Sequence, residues 1–193
     1  MSFINPKEKE ISCKIAYYGP AFAGKTTTIR SAYEKMSPGK RGKISTLSEA
    51  SNANLYFDFL PLTLGKVKDY QVYFHLYTVP GQVIYDNSRT IILKGMDGVI
   101  FVADSQMDRV EDNLESWKNL QINLKNHNIN FDTVPMALQF NKRDLPNVMP
   151  TDELSSLFNT RELPVFESVA TKGKNVMECF NTVAKWVLKE LAK

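Results

Sequence analysis

What this chain has little of narrows its chemistry before any motif is weighed. It carries two cysteines, Cys13 in an apolar run near the start and Cys179 in the last helical pattern, with no C-x-x-C pair and no Cys/His metal spacing. That pattern excludes a zinc or redox-dithiol motif, and both thiols are expected to be buried and free. Histidine is equally sparse: His75 lies inside a strand pattern and His127 at a helix end, so each is expected to pack or cap rather than bind metal. No apolar run approaches the ~18 residues of a membrane span. The N-terminal MSFINPKEKEIS is polar, without a signal-peptide apolar region, so we expect no membrane anchor and a cytoplasmic protein. Charge of one sign is also missing: the formal net charge is +3, and Lys and Arg are scattered rather than clustered. No stripe for nucleic acid results. There is no internal repeat, low-complexity tract or linker. With 193 residues, 43% of them hydrophobic, residues 1–193 are expected to form one domain around one core.

What is present is an alternation of short β-rich runs with longer helical patterns. SCKIAYYG, Ser12 to Gly19, reads as a strand, and KTTTIRSAYEKM, Lys25 to Met36, as a helix that SPGKRGK ends. NLYFDFLPLTLG and YQVYFHLYTV flank the polar turn KVKD as an antiparallel hairpin, in which Tyr56, Phe57 and Phe59 fit either a core or a partner edge. DGVIFVAD and VPMALQF are almost wholly apolar, as strands covered on both faces are. Between them, DNLESWKNLQINLKNH places Leu114, Trp117, Leu120 and Leu124 on one helical face. Asp104 and Asp108 precede that helix and are expected at its N-terminus rather than as a carboxylate pair. VFESVA makes a sixth strand, and NVMECFNTVAKWVLKELAK closes the chain as an amphipathic helix. The predicted fold is α/β: a mostly parallel six-stranded sheet with an antiparallel hairpin and helices on both faces, which binds ligands at the carboxyl ends of its strands.

Three motifs fall at those ends. GPAFAGKTTT, Gly19 to Thr28, fits the phosphate-loop spacing G-x-x-x-x-G-K-[ST] between a strand and a helix. Its candidate nucleotide-binding residues are Gly19, Ala21, Phe22, Ala23, Gly24, Lys25, Thr26 and Thr27. The glycines let the backbone curl so that successive N–H groups, with the following helix N-terminus, converge on phosphate oxygens. Lys25 would bridge the β- and γ-phosphates, and the Thr26 hydroxyl would bind Mg²⁺. FNKRD then chooses the base. The Asp144 carboxylate accepts hydrogen bonds from guanine N1–H and its 2-amino group, a pair that adenine lacks, while Lys142 lays its stem along the base and Asn141 ties this loop to the phosphate loop. SVATKG supplies Val169, Ala170 and Thr171, with the Ala170 N–H facing guanine O6. In TVPGQ, Gly81 presents an N–H to the γ-phosphate, and Gln82, the candidate catalytic residue, orients the attacking water. Most such motifs begin with an aspartate that holds Mg²⁺ through water. Thr78 stands there instead, so that contact is weakened or supplied elsewhere.

The segments KIAYYGP, FDFLPL, FHLYTVPGQ, LKGMDGV, FVADSQ and NKRDLPNV resemble the MglA family of bacterial Ras-like polarity GTPases, almost from end to end. T-V-P-G-Q in place of D-x-x-G-Q is characteristic of that family. The resemblance implies a P-loop small GTPase fold that takes GTP or GDP with Mg²⁺ and whose GTP form is recognised by motility and polarity proteins at a cell pole. It also implies partners: a response regulator like RomR, which recruits the GTPase to the pole, and a roadblock-type dimer, MglB, which accelerates hydrolysis.

The departures from the family lie where hydrolysis takes place. Its loop reads G-P-G-x-x-G-K-T, so Ala21 replaces a glycine beside the γ-phosphate. Where relatives read T-D-R-T-L-F-F-D-F-L-P, this chain reads SNANLYFDFLP. Ala53 thus takes the place of an arginine supplied in cis, and Asn54 that of the threonine that closes on Mg²⁺, which makes Thr26 and Asn54 the candidate metal ligands. Losing an arginine finger costs about 10³ to 10⁵ in rate. The expectation is a guanine-nucleotide switch with slow intrinsic hydrolysis, read by effectors over roughly Ser45 to Leu64 and Pro80 to Arg89. An ordinary cycling GTPase is the alternative. A nucleotide kinase would need an Arg-rich acceptor lid, which is absent, and an ATPase is opposed by Asp144.

Overall fold

A strand pattern with no polar gap needs cover on both faces, and the sheet of this protein is organised around two such strands. The computed structural model describes residues 3–48, 56–81, 86–158 and 160–192. β6 (Gly98–Asp104) and β7 (Met136–Asn141) are buried at every position. Alternate side chains of β6 enter opposite layers: Val99, Phe101 and Ala103 pack on one face, Ile100 and Val102 on the other. The first layer is closed by α2 (Asp86–Leu93), α3 (Val110–Asn126) and α4 (Thr151–Phe158) through Leu93, Trp117, Leu120 and Phe158. The second is closed by α1 (Lys25–Lys35) and α5 (Val176–Leu191) through Ile29, Phe180, Val183 and Val187.

Around that centre the sheet has eight strands among the described residues. β2 (Glu10–Tyr18) lies between β6 and β5 (Tyr70–Thr78) and is parallel to both, and β7 continues in parallel to β8 (Val165–Glu167). β4 (Tyr56–Val67) pairs antiparallel with β5, and β3 (Ser45–Ser48) forms the far edge against β4. β1 (Phe3–Asn5) pairs antiparallel with the first residues of β2. The mostly parallel sheet, its hairpin and its two helical layers match the sequence reading. The count of six strands does not, because β1 and β3 span three and four residues and are too short to show an alternating pattern. The hairpin also turns later than expected: β4 runs on through Val67, past a register shift at Thr63/Gly65, and only Lys68 and Asp69 turn.

Cys13 and Cys179 are buried and form no disulfide, as expected. His75 is half-buried in β5 and His127 ends α3. The hairpin aromatics resolve toward the core: Phe57 is buried, and Phe59 packs half-buried against the Tyr77 ring at 4.9 Å and the His75 ring at 5.5 Å. The Tyr56 side chain lies outside the described residues.

Candidate functional site

The parallel strands β2, β5, β6, β7 and β8 end at Tyr18, Thr78, Asp104, Asn141 and Glu167, and the predicted residues follow these ends. After β2, the chain must turn sharply past β6. Gly19 takes φ 145, and a Cβ there would stand 2.1 Å from the Val102 carbonyl oxygen, so only glycine fits. Gly24 takes φ 99 just before α1. As the N-cap of α1, Gly24 has no side chain to cap the helix, and an uncapped helix N-terminus favours an anion. It faces a cleft of about 490 Å³ lined by Ala21, Phe22, Gly24, Lys25, Thr26, Thr27 and the segment from Thr78 to Gly81. The buried Lys25 ammonium donates to the carbonyls of Gly19 at 2.8 Å and Pro20 at 2.6 Å, which sets its charge inside the loop. Phe22, which lines the cleft, holds the left-handed conformation at φ 64 and is 79% exposed.

The base-reading residues are joined to that loop through one buried amide. Asn141 Nδ2 donates to the Ala23 carbonyl at 2.8 Å. Its Oδ1 accepts from the Ala170 N–H at 2.9 Å and from Ser168 Oγ at 3.1 Å. Asn141 thereby fixes the phosphate loop, its own loop and the Val169–Thr171 loop to one another. The Ala170 N–H, expected to face guanine O6, is instead given to Asn141 because both lie at this loop junction; Ala170 and Val169 are buried behind the contact, and Thr171 is exposed. Asp144 pairs with Lys172 at 3.2 Å. Lys142 has φ 65, and its ammonium reaches Asp104 Oδ2 at 2.5 Å. That contact corrects the expectation for Asp104: it is the buried last residue of β6 and partner of Lys142, because the β6–β7 register sets it beside Asn141. Asp108 does stand in a helical turn, the single 3₁₀ turn Met107–Arg109 that leads into α3.

On the other side of the cleft, the aspartate missing from TVPGQ has a counterpart that the sequence reading passed over. Phe59 pairs with Tyr77 in the β4–β5 ladder, which sets Asp58 across from Thr78. The buried Asp58 carboxylate accepts from Thr26 Oγ1 at 2.5 Å, Thr46 Oγ1 at 2.9 Å and Thr78 Oγ1 at 3.2 Å, and its N–H donates to Thr78 Oγ1 at 2.7 Å. A carboxylate beside the phosphate-loop threonine suits Mg²⁺, which takes one or two protein oxygens and otherwise phosphate oxygens and water. Among the described residues there is no cluster of three His, Cys, Asp or Glu to hold a metal without such help. Gly81 lies directly on the phosphate loop: a Cβ there would stand 2.3 Å from the Ala21 nitrogen. Ala53, Asn54 and Gln82 lie outside the described residues, so the predicted cis-arginine position, the second metal ligand and the catalytic glutamine have no structural account.

The sequence pattern of the Ras family matches residues 45–189. The phosphate loop precedes that span and stands on its own geometry. The chain is 49% identical to the mutual gliding-motility protein MglA of Myxococcus xanthus over 193 residues, which cover 100% of this chain and 99% of that protein. It is 26% identical to the Ypt/Rab-type GTPase ypt7 of Schizosaccharomyces pombe over 78% of each chain. The Ras-related protein Rab-7a of Dictyostelium discoideum is 24% identical over 94% of this chain and 85% of its own. Among the described residues no helix is long and apolar enough to cross a membrane.

Proposed function

The chain belongs to the Ras family, as an MglA-type Ras-like GTPase, and from that premise we propose a guanine-nucleotide switch whose GTP form recruits polarity or motility effectors and hydrolyses GTP slowly on its own. The observation that carries guanine binding is the Asn141 amide, which holds the loops for phosphate and base in one arrangement with Asp144 beyond it. Ras-like GTPases bind GTP or GDP with Mg²⁺.

In this reading the residues divide the work. The α1 N-terminus and Lys25 receive the phosphates, and Lys25 releases the Gly19 and Pro20 carbonyls to do so. Thr26 and Asp58 would hold Mg²⁺, which neutralises charge on the β- and γ-phosphates. Asp144 exchanges Lys172 for guanine N1–H and N2–H. The Gly81 backbone rests on Ala21, where a third phosphate must enter, so GTP displaces Pro80 and Gly81, and α2 follows that segment in the chain. GDP makes no such demand. The nucleotide therefore biases the surface from Pro80 to Arg89 and the adjoining hairpin, which is how a γ-phosphate orders switch segments.

The partners this reading calls for are a RomR-like response regulator and a roadblock-type dimer, with the protein concentrated at a cell pole. Retention of Gln82 favours a second reading, an ordinary cycling GTPase. The test is binding of such a partner to the full chain loaded with a non-hydrolysable GTP analogue and with GDP. A switch gives different affinities; equal affinity in both forms ends the proposal, because such a ligand shifts no equilibrium.

A further inference from the structure

Arg109 and Lys142 come from different loops and address the same carboxylate. Asp104 is fully buried, and its place is fixed by its backbone: its N–H donates to Asn113 Oδ1 at 2.9 Å, and its carbonyl accepts from Asn113 Nδ2 at 2.8 Å. The side chain is fixed as well, because Oδ1 accepts from the Gln106 N–H at 3.1 Å. Oδ2 then holds the Lys142 ammonium at 2.5 Å and lies 3.9 Å from Arg109 Nε. Arg109 carries the connection onward. Its Nη2 donates to the Ala21 carbonyl at 2.9 Å, and its Nη1 pairs with Asp112 at 2.6 Å. A buried carboxylate needs cationic partners, and here the two are a base-loop lysine and an arginine that grips the phosphate loop.

We propose that Asp104 and Arg109 are positioning residues for nucleotide retention, which join the base-reading loop at Lys142 to the γ-phosphate end of the phosphate loop at Ala21. The proposal rests on the guanine-nucleotide reading above. It adds to that reading a second tie between the loops, at a different point from the first. Asn141 reaches Ala23, deep in the phosphate loop, whereas Arg109 reaches Ala21, the residue on which Gly81 rests. The two ties therefore differ in what they sense. The Asn141 tie serves any guanine nucleotide; the Arg109 tie bears on the place where the third phosphate enters. Loss of Arg109 releases Ala21 and loosens GTP more than GDP. Loss of the Asp104 charge releases Lys142 and Arg109 together and loosens both nucleotides.

The experiment measures release of fluorescent GTP-analogue and GDP from the full chain, after equilibrium binding of both to the wild type. Arg109→Ala is expected to speed GTP-analogue release about tenfold, the scale of one charge-assisted hydrogen bond, with GDP changed about twofold or less. Arg109→Lys, which still donates to Ala21, recovers most of the loss. Asp104→Asn speeds release of both. In Arg109→Ala/Lys142→Met the combined effect falls short of the product of the single effects, since both act through one carboxylate. If Asp104→Asn does not fold, the two single variants and their double mutant decide. Wild-type release rates in Arg109→Ala, equal changes for GTP analogue and GDP, or multiplicative single effects overturn the proposal. A wild type that binds neither nucleotide overturns the guanine reading itself, and this inference with it.

Discussion

Asn141 Nδ2 occupies the space that a side chain on Gly24 would need: a Cβ on Gly24 would stand 2.2 Å from it. The glycine that opens α1 at φ 99 is therefore required twice, once for its backbone and once for the base loop that presses on it. A phosphate loop and a guanine motif 117 positions apart in the chain are in this way one packed object. Neither can shift alone, which gives a small site the rigidity to distinguish bases by hydrogen bonds.

The proposed guanine selectivity rests on Asp144, whose carboxylate pairs with Lys172 at 3.2 Å. Asp144→Asn should weaken GTP and GDP by about 1.5 to 3 kcal/mol, the range for hydrogen bonds to a charged group. Isothermal titration against GTP, GDP and ATP checks this. Comparable binding of ATP and GTP by the wild type would remove the assignment.

Asp58 was legible only in retrospect, and the reason is physical. In FDFLP an aspartate between aromatics reads as the outward member of an alternating strand, and only the β4–β5 register turns it toward Thr26 and Thr78. Arg109 escaped for the same kind of reason: its partners Ala21 and Asp104 come from other segments, and a charged residue before a helix reads as a solvated start. The turns at Gly19 and Gly24 and the Asn141 tie could be read because they are local in spacing and set by backbone chemistry. The cores of β6 and β7 could be read because burial on both faces leaves an unbroken apolar run. The eight-residue helices α2 and α4 each span about two turns and gave too little periodicity to stand out.

If Asp58 supplies the carboxylate that Thr78 cannot, then Asp58→Asn keeps the acceptor for the threonine hydroxyls but removes the charge that favours a divalent cation. Chelation with EDTA should accelerate GTP release from the wild type and change release from Asp58→Asn much less. Equal acceleration in both proteins assigns Asp58 to packing of the hairpin alone.

Lys14 ties β2 to the end of α2: its ammonium donates to the carbonyls of Ile91 at 3.0 Å and Lys94 at 3.2 Å and lies 4.7 Å from the Tyr77 ring centre. Burial, partly offset by Asp97, lowers its pKa from 10.5 to about 8. The unfolded chain keeps this proton to higher pH than the folded one, so between about 8 and 10.5 the unfolded state binds more protons and this group's contribution to stability rises with pH. Below about 8 both states are protonated and the contribution is level. His75, the neighbouring titrating group, is itself lowered by burial and by Lys14, and is neutral across that window. Chemical denaturation at two pH values, one below the window and one inside it, should show the wild type gaining stability relative to Lys14→Met as pH rises. A wild type that loses ground to the variant contradicts the assignment.

The remaining prediction concerns rate. Hydrolysis needs charge spread over the transferring phosphoryl group, and Ala53 cannot supply the arginine that relatives place there. Arg109, which reaches the phosphate loop, is not free to replace it, because it is engaged by Asp112 at 2.6 Å and by the Ala21 carbonyl at 2.9 Å. Ala21 adds a methyl group to the residue on which Gly81 already rests, and that methyl is expected to crowd a γ-phosphate and its attacking water. Asn54 would offer Mg²⁺ an amide oxygen in place of a hydroxyl. Gln82 is retained as the expected water-orienting residue, so a low rate is expected rather than none. Restoring Ala53→Arg should raise single-turnover hydrolysis most, toward the ~10³-fold that an arginine finger contributes at the low end, provided Asn54→Thr and Ala21→Gly accompany it so that the switch closes around the metal. Ala21→Gly alone should relieve crowding and give a smaller gain. A wild-type rate equal to that of the triple variant would show these substitutions to be neutral and the chain to be an ordinary cycling GTPase.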